Sequence, residues 1–182
     1  MEIVTITEDA KKTIAALLNK TILVEYEFIL NYPRVIEHIT NYEKIKDETL
    51  INDLDRLGRD SLRHFGKIDN LITQLGYQSS WQTTVFPRII DALDIFERQL
   101  EKEKVVREIY LEAKRIAMKN KTGANGREFF DKFTRKIKGE IEEDIVIADE
   151  LISTLDRIAL DEKHHTEVLE DSIATLKMLM AK

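Results

Sequence analysis

Asp161-Glu162-Lys163-His164-His165 and Asp60-Ser61-Leu62-Arg63-His64 are the two stretches on which the fold turns. Each lies partway along a segment whose apolar residues recur at the helical period, and each sets polar side chains on the face that period assigns to a core. Glu162 and His165 are three residues apart, so both project from one helix face about a turn from each other and can chelate a single ion. His64 occupies the matching place in the other stretch, with Ser61 three residues before it.

Outward from these stretches, four apolar stripes emerge. One runs Ile14, Leu18, Thr21, Glu25, Phe28, Tyr32, Val35, Ile39, and a second Leu54, Gly58, Ser61, Phe65, Ile68, Ile72, Leu75. The third is Ile89, Leu93, Phe96, Leu100, Glu103, Val106, Tyr110, Ala113, and the fourth Leu155, Ile158, Glu162, His165, Leu169, Ile173, Leu176. Polar residues interrupt every stripe near its middle. An ionised, unpaired carboxylate on such a face costs several kcal/mol, so Glu25, Glu103 and Glu162 ask for a partner or a cation.

The breakers between stripes are scarce: six Gly and two Pro in 182 residues, against roughly 12% in average usage. That excludes a sandwich or barrel of many short strands. Thr7 is placed to cap a first helix over 7–40, with Pro33 expected to kink it. A second helix is expected over 49–75, closed by Gly76, and a third from near Pro87 to about Lys119. Asn120-Lys121-Thr122-Gly123-Ala124-Asn125-Gly126 reads as a loop. A last tract, 127–181, divides near Gly139 into a short helix over 127–138 and a long one. The expectation is an all-α single domain spanning 1–182.

Composition excludes further classes. Without cysteine there is no disulfide framework, thiolate metal site or Cys nucleophile. Any metal must be held by carboxylate, imidazole or water. The N-terminus carries acid where a secretory signal carries Lys or Arg, and no apolar run exceeds the five residues from Ile14 to Leu18. Net charge is −6 with Lys and Arg spread evenly, so the footprint of a nucleic-acid binder is missing. The expectation is a soluble cytoplasmic protein with neither nucleic acid nor membrane as partner.

The chain also repeats itself. Glu25 and Tyr32 are seven apart in the first helix, as are Glu103 and Tyr110 in the third. Asp60-Ser61-x-x-His64 in the second corresponds to Asp161-Glu162-x-x-His165 in the fourth. Each half is Glu then Tyr on one helix and Asp-(Ser/Glu)-x-x-His on the next, the order a duplicated two-helix unit gives.

This arrangement resembles the ferritin-like carboxylate di-metal family, which includes ferritins, bacterioferritins and rubrerythrins. In that family a four-helix bundle holds two irons or manganese ions with one Glu from each of two helices and Glu-x-x-His from each of the others. The resemblance covers about 23–75 and 93–180. It implies Glu25 and Glu103 as the single Glu ligands, Glu162 and His165 as one Glu-x-x-His, and His64 as the His of the other. Family members have a long crossover between helices two and three; ten extended residues, 77–86, span about 33 to 36 Å, enough to run along the bundle. Trp81 is expected to seal that crossover onto the bundle. The extra helix over 127–138 has no counterpart in a minimal bundle.

Ser61 is the departure, because it stands where the family places a bridging Glu. Three readings stay open. Asp60 reaches the metal from one turn before His64; or Asp60, like Asp161, lies behind the ligands and orients a His through its far nitrogen, leaving an asymmetric or one-metal site; or the site has lost metal. Glu103 also belongs to the run Glu101-Lys102-Glu103-Lys104, which taken alone is a solvated face. Tyr32 and Tyr110 read as core tyrosines whose hydroxyls meet a ligand carboxylate. The resemblance implies redox chemistry with oxygen or peroxide, iron as cofactor with manganese as the variant, an external electron donor and a homo-oligomer. The competing class is a metal-free helical scaffold.

Overall fold

The computed structural model describes residues 4–80, 91–123 and 148–181. Strand β1 (Val4–Ile6) precedes α1 (Glu8–Asn41) and α2 (Glu48–Gln74); α3 (Ala92–Asn120) is followed by β2 (Lys121–Gly123) and α4 (Ala148–Met180). The four long helices form the expected bundle.

Local signals account for most boundaries. Thr7 is the N-cap of α1 by position, with Glu8 and Asp9 in the first turn, yet its hydroxyl makes no capping bond. The helix runs unbroken through Pro33, which cannot supply an N–H to the preceding turn. Asp47, not singled out from the sequence, caps α2 by accepting from the Leu50 amide at 2.9 Å. At the other end Gly76 adopts φ +85°, the left-handed conformation glycine reaches without strain. That geometry lets the Gly76 and Tyr77 amides donate back to the Thr73 and Ile72 carbonyls. Asp91 caps α3, accepting from the Leu93 amide at 2.8 Å. Pro87, Trp81, Ile89 and the expected helix over 127–138 lie outside the described residues.

One element departs from the all-helical expectation. Residues 121–123, read as loop, pair antiparallel with Val4–Ile6 in the register Val4 to Gly123 and Ile6 to Lys121. Val4, Thr5 and Ile6 are β-branched and suit the pairing. Three residues at each end of a long sequence separation leave no periodic signal to read.

Pairs across the bundle fix its geometry. Glu25 meets Tyr110 while Tyr32 meets Glu103, so α1 and α3 run antiparallel. His64 meets Asp161 while Asp60 meets His165, so α2 and α4 do too. The short connection over 42–47 sets α1 beside α2, and the ion pairs Lys104–Glu170 and Lys177–Glu97 set α3 beside α4.

The core is split in two. One apolar cluster contains Ile14, Leu18, Ile22, Ile68, Ile72, Val106, Leu155 and Ile158; the other contains Phe28, Val35, Ile39, Leu54, Leu57, Phe96, Leu169 and Leu176. Burying each such side chain contributes about 1.5–3 kcal/mol. Along all four helices the seam between the clusters falls at the polar interruptions.

Candidate metal centre

At that seam each helix delivers its polar residues inward. Glu25, Ser61, His64, Glu103 and Glu162 have no exposed surface and His165 has 1%. Glu162 lies between the two imidazoles: its Oε1 is 2.7 Å from His64 Nδ1 and its Oε2 is 3.1 Å from His165 Nδ1. Glu25 Oε1 approaches His64 Nδ1 at 3.6 Å, and Glu103 Oε1 approaches His165 Nδ1 at 3.7 Å. The rings stack at 5.3 Å between centroids. Two half-sites result, Glu25 with His64 and Glu103 with His165, sharing Glu162.

The outer partners cross between repeats. Tyr110 Oη on α3 donates to Glu25 Oε1 on α1 at 2.8 Å, and Tyr32 Oη on α1 donates to Glu103 Oε1 on α3 at 3.2 Å. Asp161 on α4 backs His64 Nε2 at 3.1 Å, and Asp60 on α2 backs His165 Nε2 at 3.4 Å. Each imidazole therefore shows Nδ1 to the centre and Nε2 to an aspartate. The pattern is two-fold except at one place, where Ser61 stands opposite Glu162.

Asp60 takes up the place behind the ligands that one of the three readings gives it. It faces the far nitrogen of His165 and pairs with Arg63 at 2.8 Å, outside the central carboxylates. Asp161 serves the His of the other repeat, a crossing that a linear sequence does not display. Gln99, one turn before Glu103, escaped the sequence reading; it is buried with neither amide atom partnered within the described residues. Its polar character at a core-facing position was the available signal.

Electrostatics reflect the crowding. Burial pushes the His64 imidazole down, but Glu162 and Glu25 outweigh it and raise the group to about 10. Burial likewise opposes protonation of His165, while Asp60, Glu103 and Glu162 raise it to about 12. Burial first, then the charge of Glu162, pushes Glu103 well above the ordinary carboxylate range. Burial and the adjacent Glu103 or Glu25 push the Tyr32 and Tyr110 phenols up, so both remain donors. The adjacent His165 imidazole holds Asp60 below its usual range.

Among the described residues, several acceptors have no hydrogen-bond donor: Glu25 Oε2 and Glu103 Oε2 are buried with none, as is Ser61 Oγ. Buried carboxylate oxygens rarely go unsatisfied, so these lone pairs suit an electrophile at the centre. His64, Glu162 and His165 each offer a donor atom within 4.8 Å of the others. Three carboxylates and two imidazoles are a donor set that divalent iron or manganese accepts.

No protein-family model matches the sequence, and no curated protein matches it. Among the described residues no helix is long and apolar enough to cross a membrane. Among solved structures, the chain is similar to the Desulfovibrio desulfuricans bacterioferritin, a protein described with a diiron site, at 19% identity and TM-score 0.61 over 94% of this chain and 84% of that one. The fold is therefore ferritin-like, a four-helix bundle of the kind its internal repeat suggests.

Proposed function

We propose that the chain binds two iron ions, or iron with manganese, at the seam of its bundle and acts as an oxidoreductase toward oxygen or peroxide. The observation that carries this is the convergence of Glu25, Glu103, Glu162, His64 and His165, with carboxylate oxygens left without donors. Glu25 with His64 would hold one ion, Glu103 with His165 the other, and Glu162 would serve both. Bound iron would supply reversible electron transfer to a small oxidant. The chain's own residues do the positioning. Tyr110 and Tyr32 hold the two terminal carboxylates, Asp161 and Asp60 keep the imidazoles turned with Nδ1 inward, and apolar layers on either side exclude water. Without cysteine the electron donor is an external one, and the proposal includes a homo-oligomer in the cytoplasm.

A second reading has its own support. In the metal-free protein the imidazoles carry protons and pair with the carboxylates, so the centre holds together as an ion-pair network in a scaffold without chemistry. Metal analysis of protein purified without chelators separates the two. About two ions per chain support the di-metal reading; a metal-free protein that also refuses added Fe2+ supports the scaffold.

A further inference from the structure

Ser61 breaks the symmetry of the centre in a way that points to a ligand. Three residues before His64, it sits where Glu162 sits before His165, and the pairs His64–Asp161 and His165–Asp60 show that α2 and α4 face each other in register. A serine there carries a hydroxyl in place of a glutamate's outer methylene and carboxylate. Its hydroxyl is fully buried and has no hydrogen-bond partner among the described residues. The ligand set is also short: two divalent cations would meet only the three inner carboxylates Glu25, Glu103 and Glu162, with Asp60 and Asp161 behind the imidazoles, so a further oxygen donor beside Ser61 completes it.

We propose that the Ser61 position is an anion subsite: a small monocarboxylate of the size of formate or acetate occupies the space of the missing glutamate, accepts the Ser61 hydroxyl's hydrogen bond, and bridges the two cations. The anion supplies the two oxygen donors that Glu162 supplies opposite it. This rests on the di-metal reading and adds to it that the centre is completed by an exogenous carboxylate. A site the size of the side-chain end that serine lacks relative to glutamate excludes branched acids.

The test uses the full chain and Co2+ as probe metal, in buffer with perchlorate as the only other anion. Calorimetry and the visible absorption of bound Co2+ are read with and without acetate, formate or pivalate. Acetate and formate are expected to tighten the second Co2+ about tenfold or more and alter its spectrum, whereas pivalate does neither. Ser61→Glu, confirmed folded by its melting curve, is expected to bind both ions without acetate and to ignore it; Ser61→Ala keeps the space and a weakened response. An equal response to all three acids in the wild-type chain, or none, overturns the subsite, as does tightening that follows pH alone, which would make hydroxide the further oxygen donor. Two Co2+ binding tightly with no anion effect overturns only this inference. Failure of Co2+ to bind under any condition overturns the di-metal reading with it.

Discussion

Tyr110 Oη lies 2.8 Å from Glu25 Oε1, a hydrogen bond donated from α3 to α1 inside a fully buried seam. Its counterpart from Tyr32 to Glu103 is longer, at 3.2 Å. The two bonds tie diagonal partners of the repeat together and fix where the terminal carboxylates point.

Tyr110→Phe keeps the ring in the core and removes the donor. Glu25 then loses its phenolic partner, and the variant is expected to lose about 1–3 kcal/mol in urea unfolding. Tyr32→Phe should lose less. Equal stability of Tyr110→Phe and wild type would show that the bond does not hold Glu25.

Removing Glu162 has a larger cost than its spacing alone suggests. A lone buried carboxylate would be relieved by truncation, but Glu162 contacts both His64 and His165. Glu162→Ala leaves two buried imidazoles without their shared partner, and the metal-free variant is expected to lose about 3–5 kcal/mol near neutral pH. Denaturant melts with chelator present read this directly; an unchanged midpoint contradicts the pairing.

The pH dependence of the metal-free protein follows from the histidines. His64 rises from 6.5 to about 10 on folding and His165 to about 12. A raised basic group contributes stability that is complete below its unfolded value and is lost as pH climbs through the folded one. Unfolding midpoints in chelator are therefore expected to fall as pH rises from 6.5 toward 10 and beyond. A midpoint that rises over that window would reverse the assignment. Metal must displace these protons, so ion affinity moves the other way and strengthens with pH.

Asp161→Asn and Asp60→Asn test the outer partners. Each keeps a polar group behind the imidazole but removes the carboxylate that orients it, and each is expected to weaken metal binding about 10- to 100-fold. Asp161 should dominate at His64, where the contact is shorter. Loss of the fold in either variant would make the aspartates structural.

The bundle was legible because Glu25, Ser61, Glu103 and the pair Glu162 and His165 each interrupt an otherwise apolar stripe, and an interruption repeated in all four stripes marks one level of a helical core. The crossing was not legible. Nothing in the order Glu25 to Tyr32 says that Tyr32 serves Glu103, since both partners lie within one turn pattern on separate helices. Asp60 stayed ambiguous for a similar reason: its rotation from Ser61 on α2 is known from the helix, but which side faces α4 is set by packing. The β1–β2 pairing, with three residues per strand, left only β-branched composition as a trace. Ser61 could be read as a departure, while its unpartnered hydroxyl needed the assembled seam.

The most direct test of the central claim is anaerobic equilibrium dialysis of the metal-stripped chain against Fe2+ in acetate buffer, with Glu162→Ala and His165→Ala alongside. The account predicts saturation at about two ions per wild-type chain and loss of that binding in both variants. Wild-type protein that retains no iron above the dialysis background, or variants that retain as much as wild type, would contradict it.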